Sequence, residues 1–227
     1  MYRAQWKTWN GYNSIVLNWG VKVGATQRSI KWVELRQNQS TGSWTIFQEG
    51  IYAPDAATRW MGSIAMDNNG DIGLSYIKSD ATSIYPGIYY TGRRPCDPLG
   101  TLPLAETTVI AGTGSQTGIN RVGDYSHTTL DVDGITFWHT GEYMGGTTGA
   151  NAAKTQIFSF QITPCAAAVP PVANFSATPT TICAGATVAF TDLSTNTPTS
   201  WSWSFPGGTP STSTLQNPSV VYSTAGT

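Results

Sequence analysis

The sequence predicts an all-β fold on three observations. Short apolar or alternating runs recur between turn signals, helical period is nearly absent, and two of the turns are too short for anything but antiparallel hairpins. In chain order the runs are "SIVLNWGVKV" (14–23), "RSIKWVELRQ" (28–37), "SWTIFQEGIY" (43–52), "GSIAMD" (62–67), "DIGLSYIKS" (71–79), "IYPGIYYTGR" (84–93), "ETTVIAG" (106–112), "DYSHTTLDV" (124–132), "GITFWHTGEY" (134–143) and "KTQIFSFQIT" (154–163). The turns "DNNGD" (67–71) and "VDG" (132–134) join neighbouring runs so closely that the strands must be antiparallel, since parallel neighbours need a long crossover. The unit "SIAMDNNGDIGLSYIKS" is echoed about sixty residues later by "HTTLDVDGITFWHTGEY", with Asp67 and Asp131 in matching places before the turn. Repeated meanders of this length predict propeller blades, and the strand count gives about two and a half to three four-stranded blades, fewer than the four or more of a closed ring.

Composition bounds the function. The 227 residues are 40% hydrophobic and 11% aromatic, ample for a buried core, and only 11% are charged, with a formal net charge of −1. That balance supplies no electrostatic footprint for phosphate backbones, which argues against nucleic acid as a partner. No run of eighteen apolar residues exists, so no membrane insertion is expected. The start "MYRAQWKTWN" lacks the apolar core of a secretory signal, so either the chain is cytosolic or its true N-terminus lies upstream.

After Lys154 the single charged side chain is Asp192, while Ser, Thr and Pro take over. The segment "TPCAAAVPPVANF" (163–175) reads as a stiff linker, because consecutive prolines favour extended geometry and deny a helix. The expected domains are 1–165 and 173–227, with a Pro-rich linker over 166–172. Cys96, Cys165 and Cys183 show no metal-ligand spacing. A Cys165–Cys183 disulfide straddling the junction suits an oxidising compartment and free thiols suit a reducing one; the odd count leaves one thiol over.

The words "YAPDAATRWMGSIAMDNNGDIGLSYIKS", "YPGIYYTGRRPCDPLG", "GTGSQTG" and "RVGDYSHTTLDVDGITFWHTGEY" resemble the last blades of large secreted bacterial β-propeller proteins of sialidase-like, or BNR-like, architecture. Val122 stands where that family usually has Trp, and His139 where it has Tyr. "VAFTDLS" (188–194), "WSWSFPGG" (201–208) and "NPSVVYSTAGT" (217–227) resemble a PKD domain, an immunoglobulin-like β-sandwich of multidomain surface proteins. Ser204, Pro206, Gly208 and Val220 depart from its consensus. In this segment Trp201, Trp203 and Phe205 alternate with Ser200, Ser202 and Ser204, predicting one core face and one solvent face. The family's last strand should follow Gly226, so the sandwich is expected to be incomplete. The two resemblances imply a secreted or cell-surface protein of adhesion or recognition, with glycans or surface proteins as partners and the PKD region as spacer or interaction module.

The candidate site lies in "RVGDYSHTTLDVDGITFWHTGEY" (121–143), which holds five of the chain's charged side chains and both histidines. Arg121 and Asp124 flank a glycine at the expected channel end of a blade, where such a pair either orients a polar ligand or ties two blades together. Asp124 and Glu142 on adjacent strands could flank one bond, as glycoside hydrolysis requires of two carboxyl groups, and Arg93 joins them as a candidate ligand-binding residue. Sialidase-like hydrolases carry S-x-D-x-G-x-T-W boxes, which are absent here, so hydrolysis is the alternative, with catalytic residues partly on missing N-terminal blades. His127 and His139 have no third ligand at metal spacing, and a hydrogen-bonded, partly buried role is expected for them. "DNNGD" departs from the calcium-loop pattern, and "GTGSQTG" lacks the Lys-Ser/Thr ending of a phosphate loop, so neither a metal nor a cofactor is expected.

Overall fold

The computed structural model describes residues 4–118, 121–149, 152–166 and 169–224. These residues form antiparallel sheets, turns and loops; none is helical and no sheet closes into a barrel. The chain divides into two compact units, Met1–Cys165 and Ala166–Thr227.

The first unit holds three meandering sheets. The first sheet is β1 (Ala4–Thr8), β2 (Tyr12–Lys22), β3 (Arg28–Asn38) and β4 (Trp44–Tyr52); the second is β5 (Thr58–Met66), β6 (Ile72–Ser79), β7 (Gly87–Arg93) and β8 (Thr107–Ile110). The third is β9 (His127–Leu130), β10 (Phe137–Met144) and β11 (Ala153–Phe160). Strand order equals chain order in each, as short connections dictate.

Consecutive sheets bury their faces against each other. Val16, Ile30, Trp32 and Tyr52 of the first sheet meet Ile64, Met66, Ile72, Leu74 and Tyr76 of the second. The opposite face of the second sheet meets Phe137 and Phe160 of the third, which stack with centroids 5.0 Å apart. Gly73 makes that approach feasible, because a Cβ there would lie 2.9 Å from the Phe160 ring. Burying each of these phenyl rings contributes roughly 1.5–3 kcal/mol. Strand β6 lies between both neighbours and is buried along nearly its whole length, which explains its lack of polar alternation.

The echoed turns differ in their capping aspartate: Asp67 Oδ1 accepts the N–H groups of Asn69 and Asp71, whereas in the second turn Asp133, not the matching Asp131, accepts those of Ile135 and Thr136. Asp131 instead accepts the Val132 N–H and the Trp138 indole N–H. The two tips touch directly, Asn68 N–H donating to Gly134 O at 2.8 Å.

Two features were not legible. Strand β1 lies in the stretch judged only for a secretion signal, and β5 starts earlier than expected, interrupted by a bulge at which Met61 and Gly62 together oppose Tyr76. Met61 takes a φ of 49° there, rare for a side-chain-bearing residue. The outer face of the first sheet is apolar and uncovered: Trp6, Ile15, Leu35 and Ile46 align in one cross-strand row, with Ile46 60% exposed and Trp6 53%.

The disulfide expected between Cys165 and Cys183 is replaced by Cys96–Cys165, with a Cα separation of 6.2 Å; Cys183 is a free, exposed thiol. Ile162 packs into the second core, so the chain leaving β11 runs back along the end of β7 and brings Cys165 to the loop that carries Cys96. Spacing along the chain carries no trace of that non-local return. Closing a loop of this length contributes about 4 kcal/mol in the chain-entropy view.

The second unit has a four-stranded sheet in the order β12 (Phe175–Thr178), β13 (Ala186–Asp192), β17 (Ser219–Tyr222), β15 (Gly208–Thr209), and a two-stranded sheet of β14 (Trp203–Ser204) and β16 (Thr212–Ser213). Val188, Phe205 and Val220 are buried, and Phe190 packs on Phe205 at 4.8 Å. Trp201, Trp203 and Phe205 turn inward while Ser202 and Ser204 face solvent, as the alternation predicts. Val172, expected in the linker, bridges to Thr195 and so belongs to this unit. Linker residues 167 and 168, and the expected break after Gly226, lie outside the described residues.

Candidate functional site

A cleft of about 760 Å³ in the first unit is built from two loops, the β6–β7 and β8–β9 connections, and a strand bulge. Its walls are Trp60 and Met61 at the β5 bulge, the β6–β7 loop from Ser79 to Pro86, Ser115 and Gln116, and the segment carrying Arg121, Val122 and Asp124.

Each wall has a physical anchor. In the β6–β7 loop Asp80 Oδ1 accepts the N–H groups of Thr82, Ser83 and Ile84, and Ser83 Oγ donates to Oδ2. The Ser83, Ile84 and Thr82 bonds hold this carboxyl well below the usual carboxylate range. The bulge is clamped from both sides: Ser126 Oγ donates to Met61 O at 2.7 Å, and Asn18 Nδ2 to Gly62 O at 2.8 Å. These bonds satisfy carbonyls that the bulge removes from the ladder, and they hold Trp60 and Met61 at the cleft. The Trp60 indole N–H donates to Val122 O at 3.4 Å, tying the bulge to the third wall.

Arg121 and Asp124 form an ion pair at the cleft, with side chains 71% and 36% exposed. Glu142 lies behind them on β10 and accepts the Gly123 N–H at 2.9 Å. Gly123 has a φ of 73°, and a Cβ there would lie 2.3 Å from Ile77 Cδ1, so only glycine lets the segment lie this close to β6. Three of the four residues singled out from the sequence therefore come together. Their relation differs from a pair of opposed carboxyls: Asp124 is held by Arg121, and Glu142 by a backbone amide.

Arg93 lies elsewhere. Strand β7 starts next to Pro86 of the cleft and ends at Arg93, a run of about 20 Å. Arg93 is 2% exposed, and its Nη2 donates to Asp97 O at 2.7 Å.

The histidines have structural surroundings. His139 is buried, with Nδ1 2.8 Å from Thr128 Oγ1. The Thr128 hydroxyl donates to Ser63 O, so the imidazole is the donor in that contact. Burial, and then the charge of His127, push the His139 pKa down to about 3. Among the described residues, no group of three His, Cys, Asp or Glu side chains could hold a metal ion.

A charge cluster went unseen in the sequence. Arg59, with no exposed surface, donates to both oxygens of Asp55 at 2.8 Å and to Glu106 at 2.8 Å. Tyr76 OH donates to Glu106 at 2.6 Å, and Lys78 pairs with the same carboxylate. Burial opposes the Arg59 charge, but the bonds to Asp55 and Glu106 more than offset it and raise its pKa. Arg59 and Glu106 stand 47 positions apart, so no local signal announces the cluster.

Residues 168–227 match the PKD domain family, and the second unit is accordingly a PKD domain with an immunoglobulin-like fold. Such a domain points to an adhesion- or interaction-type module of an extracellular protein. No curated protein matches the chain.

Proposed function

We propose that this chain is a recognition module of a secreted or cell-surface protein. Its first unit consists of consecutive blades of a sialidase-like β-propeller, and the Arg121 cleft holds a polar ligand, with a glycan the favoured class. The PKD domain acts as spacer or as a second interaction module. The face-to-face stacking of successive meanders, with β5 packed on β2 and β3 of the first sheet and β9 packed on β5, supports the blade reading. The observation that carries the functional reading is the exposed Arg121–Asp124 pair, presented at a 760 Å³ cleft by a segment that Glu142 and Gly123 hold in place. Clefts of this size with a few converging polar groups are the usual form of small-ligand sites.

Hydrolysis is the weaker reading. Asp124 and Glu142 are both committed to donors within the protein, whereas cleavage needs two carboxyl groups aimed at one bond. The test is a glycan array probed with the full chain and with Asp124→Ala. The proposal predicts glycan binding that the substitution weakens by at least about tenfold, roughly 1.4 kcal/mol. Binding at no position of the array, or unchanged binding in the variant, would contradict it.

A further inference from the structure

The Arg121 cleft does not end at Trp60. A second hollow of about 490 Å³ opens beyond it, with Thr26 and Gln27 of the β2–β3 turn and Ala56 and Thr58 at the start of β5 on its far side. Its near side is Trp60 with Ser79, Asp80 and Ala81, and the same four residues line the Arg121 cleft. The two hollows therefore share one wall and lie side by side along one end of the first two sheets.

Both lobes present surface to a ligand. In the Arg121 lobe the Tyr85 side chain is 46% exposed, and no aromatic ring or cation among the described residues stacks on it. Such a ring offers apolar area to the C–H face of a sugar. Arg121 itself stands largely in solvent beside it. In the far lobe, Gln27 Nε2 donates to Asp55 O at 2.6 Å and to Ala57 O at 3.1 Å. Those bonds use both amide hydrogens and fix the side chain, so what it offers a ligand is its oxygen, an acceptor for a hydroxyl. Trp60, partly exposed between the lobes, is held by its indole N–H on Val122 O.

Charge separates the lobes. Arg121 and Asp124 belong to the first, whereas the second is lined by uncharged side chains except for Asp80 on the shared wall. The Asp80 carboxylate is taken up by the amides of Thr82, Ser83 and Ile84 and by the Ser83 hydroxyl of its own loop. The far lobe thus suits hydroxyl groups and supplies no cation for a repeated anion.

We propose that the two lobes form one groove for a neutral oligosaccharide, which crosses Trp60 with one sugar ring beside Tyr85 and Arg121 and the next on the Thr26–Gln27 side. The inference rests on the reading of the Arg121 cleft as a glycan site and adds the length and charge class of that glycan. Each lobe alone lies within the roughly 300–1,000 Å³ of typical small-ligand sites, so together they ask for more than one ring.

The test is an array carrying gluco-, galacto-, manno- and N-acetylglucosamine oligosaccharides of one to four rings, with uronic-acid oligomers as the anionic control. Calorimetric titration of the full chain with the free sugars of each binding series follows. Three rings are expected to bind at least about tenfold tighter than one. Thr26→Trp and Ala56→Trp, both at exposed positions on the far rim, fill the second lobe. Each is expected to cut that gain to less than about twofold while single-ring binding stays unchanged, which also shows that the variant folds. Arg121→Ala weakens binding at every length. Equal binding of one and three rings, a length gain unchanged in both filled variants, or binding of uronic-acid oligomers alone would overturn the groove and leave the Arg121 site standing. No sugar bound at any length, or a series indifferent to Arg121→Ala, would overturn both.

Discussion

His139 shows what a single buried side chain does to the acid response of this protein. Its folded pKa is depressed to about 3 from an unfolded value of about 6.5. Between those values the unfolded chain takes up a proton that the folded chain refuses, so stability is intact above pH 6.5 and falls as the pH is lowered, by up to about 1.4 kcal/mol per pH unit from this residue. The expected observation is a His139 ring resonance that stays flat from pH 8 to pH 5; a midpoint near 6.5 would show that the ring is not enclosed as described. The sequence placed His139 in an alternating strand, and its bonded, buried character follows from that placement. It could not reveal that Thr128 and Ser63 complete the chain of hydrogen bonds, because Ser63 belongs to another sheet. The same limit governed the site. Arg121 and Asp124 are near in sequence, so their pairing was open to local reasoning, whereas Arg93 was grouped with them on chemistry alone and lies at the other end of a strand.

At the level of elements, strands were legible wherever one face is buried and the other is wet. Strand β2 alternates cleanly, with Ser14, Val16 and Asn18 buried on one face, and the inward turn of Trp203 and Phe205 in the PKD domain follows from the same rule. The bulge in β5 escaped detection because its carbonyls are held by distant donors, Asn18 on β2 and Ser126 just before β9, and not by a glycine-rich word. The Arg59 cluster escaped for a similar reason: it ties the start of β5 to β8 across the sheet. It also makes a quantitative prediction. Arg59→Ala leaves Asp55 and Glu106 with Lys78 but without the guanidinium they share, and is expected to cost about 3–5 kcal/mol in denaturant unfolding, as breaking a buried ion pair does. A loss below about 1 kcal/mol would place the cluster with exposed pairs, which contribute little.

For the whole molecule, the uncovered face of the first sheet is the most informative surface. Its apolar row of Trp6, Ile15, Leu35 and Ile46 resembles the faces that the three sheets bury against each other, and its charged pair, Lys31 with Glu49 at 2.7 Å, is self-neutralised. On the propeller reading a neighbouring blade covers this face, and where it is uncovered an apolar patch of this kind is expected to promote self-association. Ile46→Lys combined with Ile51→Lys is expected to reduce light scattering at high concentration with no loss of melting temperature, since both side chains are more than half exposed. Unchanged scattering would remove this surface from the account.

The central claim is that recognition resides in the Arg121 cleft. Amide hydrogen exchange on the full chain, with and without a glycan selected on the array, tests it most directly. The account predicts slowed exchange in residues 79–86 and 121–126, the two loops that wall the cleft, and no change in the PKD domain. Protection confined to residues 168–224, or spread with no focus on those loops, would contradict it.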